Sequence, residues 1–215
     1  MRSKQFVVVE GVIGAGKSRL AEHLGDAWNA RLILESTDNN PFLEEFYRDR
    51  RRYAFQTQIT FLLNRYRQQQ ELLQADIFSP RVVSNYLFQK DRVFANVNLN
   101  DKELMLYETL FPILERDVPT PDLVIYLQAS TETLLGRVRE RGRSFERDLS
   151  EEYLAALNEA YNYFFFHYDA APLLVVDTNG LDLDAHPEQG RDLLDRIDEH
   201  AGGTVYYRPL AKEES

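Results

Sequence analysis

The sequence predicts an α/β domain built on a five-stranded parallel sheet with helices on both faces, and two observations carry that reading. Apolar runs of strand length alternate with longer helical stretches along the whole chain. Within those runs the apolar residues are continuous, as in strands buried on both faces, where a half-exposed strand would alternate. The 215 residues fit one domain of this class, 1–215, and suffice for a large core without disulfides or metals.

The elements follow in order. Phe6 to Glu10 reads as the first buried strand, Lys17 to Asn29 as a helix and Arg31 to Glu35 as the second strand. Asn39 and Asn40 break the chain, and Pro41 suits the first turn of a short helix through Arg48. Tyr53 to Leu73 is a long helix with a polar end, Gln68-Gln69-Gln70. Val82 to Ser84 is a short third strand after Pro80, and Asp101 to Arg116 is a helix that Pro112 should kink. Leu123 to Gln128 and Leu173 to Asp177 are the fourth and fifth strands. Thr131 to Arg141, Ser150 to Tyr168 and Arg191 to His200 are helices, and the tail at about 203–215 should be peripheral.

Composition narrows the function. With no cysteine, neither disulfides nor thiolate metal sites can form, which suits the cytosol. The opening MRSKQFVVVEG carries too short an apolar run for a signal peptide, and no segment approaches the roughly 20 apolar residues of a membrane span. A net charge of −10 argues against nucleic acid as a partner, yet leaves room for a small anion held by local positive charge.

Gly11-Val12-Ile13-Gly14-Ala15-Gly16-Lys17-Ser18 matches GxxxxGK(S/T) between a predicted strand and a predicted helix, the context a P-loop requires. Its glycines let backbone N–H groups turn toward phosphate oxygens, and the helix start adds its dipole. Lys17 should reach the β- and γ-phosphates of ATP, and Ser18 should ligate Mg²⁺. The loop alone does not choose between GTPases, ATPases, kinases and transporters. Further on, 137–147 holds five arginines in eleven residues, with Arg137 and Arg141 on one helix face and Gly142 permitting a break. Cations that close around a transferring phosphoryl group are what phosphoryl transfer needs; the competing reading is a solvated, charged helix end.

In this segment the chain resembles the deoxynucleoside kinase family, bacterial members above all. Arg137, Arg141, Arg143 and Glu146 fill all four positions of its lid pattern RxxxRGRxxE, and Tyr47 is followed eleven residues later by Gln58. The resemblance spans about 6 to 177 and implies a P-loop kinase fold with an Arg-rich lid, Mg²⁺ as cofactor and ATP as phosphate donor. It implies a cytoplasmic homodimer that phosphorylates the 5′-hydroxyl of a deoxynucleoside. Glu35 would be the general base, Tyr47 and Glu146 would meet the sugar 3′-hydroxyl, Gln58 would read the base, and Arg65 would support that side. One departure stands out. The family carries Glu-Arg-Ser or Asp-Arg-Ser after the third strand, whereas this chain has Ser84-Asn85-Tyr86, with Lys90, Asp91 and Arg92 following as possible substitutes.

Glu35 also stands without the resemblance: it ends a strand whose carboxyl edge should adjoin the P-loop, where ligands bind in open α/β sheets. Gln58 has a donor and an acceptor for a base edge, and the alternative is a solvent-facing residue of a Gln-rich helix. Phe55, Phe61 and Phe88 could wall the base or be plain core, and LLVVDTNGLD offers a candidate adenine loop. The helices around 53–73 and 101–116 are the candidate dimer interface. Two other functions stay open: a thymidylate kinase-like nucleoside-monophosphate kinase, using Arg48, Arg50, Arg51 and Arg65 for an acceptor phosphate, and a catalytically weak nucleotide-binding subunit.

Overall fold

A computed structural model of the chain describes residues 5–73, 81–183 and 185–209. Its sheet is wholly parallel, in the order β2-β3-β1-β4-β5-β6. The strands are β1 (Phe6–Gly11), β2 (Arg31–Ile33), β3 (Val82–Ser84), β4 (Leu123–Gln128), β5 (Leu173–Asp177) and β6 (Thr204–Tyr207). The helices are α1 (Lys17–Trp28), α2 (Leu43–Arg48), α3 (Arg50–Leu73), α4 (Asp91–Asn98), α5 (Asp101–Glu115), α6 (Thr131–Arg141), α7 (Glu151–Phe166) and α8 (Pro187–Glu199).

The continuous apolar runs explain the core. Val7–Val9, Val83, Leu123–Leu127 and Leu173–Val176 are all buried, sealed by Leu20 and Leu24 of α1, Leu134 of α6, Leu157 and Phe165 of α7, and Leu193 and Ile197 of α8. β1 lies between β3 and β4, in register Phe6↔Val82 and Val7↔Leu123. The chain winds away in opposite directions on either side of it, so a crevice opens at its carboxyl end. Two smaller apolar clusters build the helical flank. Leu62, Phe88, Ala95, Tyr107 and Phe111 join α3, α4 and α5, while Leu43, Phe46, Ala54 and Tyr153 join α2, α3 and α7.

Several expectations change. The sheet has six strands, not five: Thr204–Tyr207 pairs with β5, Leu173↔Thr204 to Val176↔Tyr207. Its sequence, TVYY, is good strand material, but its exposed edge position hid it among polar tail residues. The last six residues of that tail, 210–215, and Pro80 lie outside the described residues. Asp91–Asn98 is a helix that the Asn-containing, β-branched run does not advertise, and α8 begins earlier than expected, with Pro187 in its first turn. Pro41 precedes α2, which starts at Leu43. α5 runs through Pro112 and is opened by a capping box, Asn100 with Glu103. β2 stops at Ile33, so Glu35 leaves the ladder, and its N–H donates to Asn85 Oδ1 at 2.7 Å.

Candidate active site

The loop between β1 and α1 is shaped by two glycines with positive φ, and they need glycine for different reasons. At Gly14 (φ 88°) a Cβ would sit 2.7 Å from Leu134 O of α6, so both conformation and space forbid a side chain. At Gly16 (φ 95°), which caps α1, nothing approaches within 4 Å, so conformation alone decides. Lys17 Nζ donates to Gly11 O at 2.7 Å and to Val12 O at 3.2 Å, folding the ammonium back over the loop. Burial first, and then Lys90, pull its pKa down to about 8. Ser18 Oγ accepts from Asn85 Nδ2 at 2.8 Å. Asn85, only 4% exposed, thus ties the start of α1 to Glu35 through its two amide atoms.

Glu35 is gripped from two sides. Arg65 Nε, from α3, donates to its Oε1 at 2.6 Å, and Lys90 Nζ, from the short turn Phe88–Lys90, donates to its Oε2 at 3.0 Å. Burial would raise its carboxyl, but Arg65, Lys90 and Lys17 outweigh that and hold it well below the usual carboxylate range. Arg65 also pairs with Asp91, which accepts from Tyr107 Oη at 2.8 Å and from Gln58 Nε2. Gln58 Nε2 further donates to Asp91 O at 2.9 Å. The amide of Gln58 is therefore oriented: its N–H₂ is spent on Asp91, and its Oε1 remains to accept. Arg92 turns away, toward Glu108, Glu115 and the face of Phe111. Of the three possible substitutes for the family motif, Lys90 and Asp91 enter the network and Arg92 does not.

The arginine-rich segment closes the other wall. α6 ends at Gly142 in the left-handed conformation (φ 66°), which frees the chain to turn through Ser144–Glu146. Arg141 Nη2 donates to both oxygens of Glu146, at 2.7 and 2.8 Å, and Arg143 lies 4.0 Å from the same carboxylate. Arg137 donates to Thr178 Oγ1 at 3.1 Å and to Thr178 O, anchoring α6 to the end of β5. Tyr47 packs on Phe145 with ring centroids 5.9 Å apart, and burial pushes its phenol well above the usual range, so it is a neutral donor.

One cavity of about 930 Å³ brings these groups together. Ile13 to Ser18, Glu35, Tyr47, Gln58, Arg65, Arg137, Arg141, Arg143 and Glu146 all line it. Gly11 and Val12 lie beneath, supplying the carbonyls that hold Lys17. Phe61 is in its wall, whereas Phe88 is core, stacked on Phe111 at 5.3 Å. Thr178 to Asp182, from the segment read as an adenine loop, also line it, with Leu183 next to them. Arg48, Arg50 and Arg51 line a separate surface depression with Asp49 and Asp148; Arg48 pairs with Glu44, and Arg50 lies over the Tyr153 ring at 4.3 Å. Among the described residues no group of three or more His, Cys, Asp or Glu could hold a metal, and no helix is long and apolar enough to cross a membrane. Sequence reasoning gave Asn85 no role, although it directly follows β3, a strand beside β1, much as Glu35 was singled out for its place at a strand end.

Residues 7–201 match the family model described as deoxynucleoside kinase. A deoxyguanosine kinase of Bacillus subtilis is 35% identical over 164 residues, 75% of this chain and 78% of that one. A deoxyadenosine kinase of Lactobacillus acidophilus is 32% identical over 211 residues, 91% and 95% of the two chains. The solved structure of deoxyadenosine kinase from M. mycoides with bound dATP superposes with a TM-score of 0.79 at 26% identity, covering 91% of this chain and 100% of that one. The same kinase with bound dCTP gives 0.77 at 28%, covering 90% and 100%. With the match running from β1 to the end of α8, the chain belongs to the deoxynucleoside kinase family.

Proposed function

We propose that this chain transfers the γ-phosphate of ATP to the 5′-hydroxyl of a deoxynucleoside, as an enzyme of nucleotide salvage. The observation that carries the proposal is the shared cavity: a phosphate-type loop with Lys17 and Ser18 opens into the space that holds Glu35, Tyr47, Gln58 and Glu146. Gly11 to Ser18 act as the P-loop. Released from Gly11 O and Val12 O, Lys17 turns to the β- and γ-phosphates. Arg137, Arg141 and Arg143 form the lid that meets the transferring group. Arg137 is already anchored, whereas Arg141 is held in reserve on Glu146. Tyr47 and Glu146 receive the sugar 3′-hydroxyl, and Gln58 Oε1 accepts from the base. Glu35 orients the 5′-hydroxyl and takes its proton, while Arg65 fixes Glu35.

The residues present fit Mg²⁺ in one respect: Ser18 Oγ gives one lone pair to the Asn85 amide and keeps another for a metal. Ser18 would hold the ion, and bound there it would supply charge neutralisation at the phosphates. Use of the ATP pool and the absence of cysteine support a cytoplasmic location. A homodimer is part of the same reading. α5 exposes Met105 (70%), Leu106 (48%), Leu110 (37%) and Ile113 (55%), and α3, which packs against it, exposes Leu63 (40%), an apolar surface that a second copy would cover.

A coupled assay tests the function: ATP and Mg²⁺ with a panel of deoxynucleosides and deoxynucleotides, read as ADP release. ADP that appears only with deoxynucleoside 5′-monophosphates would move the chain to the monophosphate kinases, and none with any acceptor would leave it a nucleotide-binding subunit.

A further inference from the structure

Lys90 is 2% exposed and does not line the cavity, yet its ammonium lies 3.0 Å from Glu35 Oε2. Burying a lysine costs several kcal/mol unless its partners repay it, and the fold shows little need for this one. Glu10, its other acidic neighbour at 3.9 Å, is already satisfied by the N–H groups of Gly11 and Leu87, at 2.8 and 2.7 Å, and by Tyr161 Oη. Arg65 alone would neutralise Glu35, were it not also committed to Asp91. The ring of Phe94, 5.8 Å from Nζ, covers the remaining side.

We propose that Lys90 is a positioning residue for the acceptor hydroxyl, acting through Glu35 from behind the cavity wall. Arg65 holds one carboxylate oxygen and Lys90 the other, so the plane of the carboxylate is fixed and the lone pairs left over point into the cavity. The inference rests on the kinase reading above and adds to it a residue that never touches substrate. The charged groups facing Glu35 are Arg65 from α3, Lys90 from the Phe88–Lys90 turn and Lys17 from α1. Glu10 of β1 and Asp91 of α4 act on it through Lys90 and Arg65, and Tyr161 of α7 senses its charge. Two of the three cations remain if Lys90 is removed, but one of these is shared with Asp91 and the other belongs to the phosphate loop.

The test is kcat and KM at neutral pH, with a deoxynucleoside that the parent phosphorylates, for the parent, Lys90→Met and Lys90→Arg. The kcat of Lys90→Met should fall by about 10- to 100-fold, the order expected when a reacting group is misplaced. KM for ATP should stay within about threefold, because the Lys90 ammonium makes no hydrogen bond to the phosphate loop. Lys90→Arg, which can still donate to Glu35 Oε2, should recover most of the parent's kcat. A residue that merely balances buried charge would lower the melting temperature and leave kcat alone, and that result overturns the proposal, as does a loss in Lys90→Met that Lys90→Arg does not recover. Should Lys90→Met give no protein that ATP stabilises, Lys90→Gln is judged by the same kcat; loss of fold in both makes Lys90 structural and also overturns it. A parent inert toward every deoxynucleoside refutes the kinase reading itself, and this proposal with it.

Discussion

Replacing Glu35 with glutamine removes one charge and little else, so its consequences can be worked from the distances. The change leaves Arg65 Nε and Lys90 Nζ, at 2.6 and 3.0 Å, facing a neutral amide. Breaking a fully buried pair costs about 3–5 kcal/mol. Here the glutamate side chain is 19% exposed and Arg65 keeps Asp91, so about 2 kcal/mol is the better figure. For a chain of this length that corresponds to a melting temperature lower by about 4–8 °C. The carboxyl of Glu35 is held below its unfolded value, so its contribution is fully present above about pH 4.3 and is lost only as pH falls through the folded value. The stability gap between parent and Glu35→Gln should therefore be the same at pH 6 and pH 8, measured by urea unfolding. Turnover should fall by about 10²–10⁴-fold, with KM for ATP little changed. Repeating the assay over a range of Mg²⁺ separates two roles: a loss that is flat in Mg²⁺ keeps Glu35 as the proton acceptor, and rescue by excess Mg²⁺ makes it a support for the metal. A turnover number within tenfold of the parent at every Mg²⁺ concentration would refute the placement of Glu35 in the active site.

Three further outcomes are expected. Lys17→Ala should lose turnover by about 10³-fold or more with an unchanged melting temperature, since Lys17 bonds only to loop carbonyls; turnover within tenfold removes it from the phosphate site. Gln58→Ala should raise KM for the deoxynucleoside by the equivalent of about 1–3 kcal/mol and leave that for ATP alone; the opposite pattern would show that Gln58 is not at the base. Gly14→Ala and Gly16→Ala should differ in denaturant unfolding. At Gly16 only the left-handed φ is violated, for about 1–2 kcal/mol, whereas Gly14→Ala must also displace Leu134 O and should cost more; equal losses would contradict the close approach of α6 to the loop.

The sheet was legible because parallel strands buried on both faces leave an unmistakable mark. β3, β4 and β5 begin and end where their apolar runs do. What escaped was set by partners distant in sequence. β6 is a strand only because β5 offers it an edge, and three of its four residues are exposed. α4 begins at Asp91, whose burial depends on Arg65, Gln58 and Tyr107 from two other helices. In the site, residues that touch ligand in the family carried a motif and could be picked out. Asn85, Lys90 and Asp91 act on those residues and carry none, so only their coordinates disclose them. The Gln58 amide shows the limit most clearly: the sequence offers both its donor and its acceptor to a base edge, whereas in the structure Nε2 is taken up by Asp91 and Oε1 is left.

A carboxylate whose pKa is held so low is a weak proton acceptor toward a resting hydroxyl, which looks at odds with its being the base. The reaction removes the difficulty. Phosphoryl transfer proceeds through a loose transition state in which bonding to the attacking oxygen comes late. The hydroxyl becomes strongly acidic only as that bond forms, so little basicity is needed early, while orientation is needed throughout. Arg65 and Lys90 give up basicity in Glu35 and secure its direction and its charge. A protonated carboxylate would lack the charge and a free one the direction. The low pKa and the double grip therefore do not count against the proposed role of Glu35 as an orienting base, in which Arg65 and Lys90 set its direction.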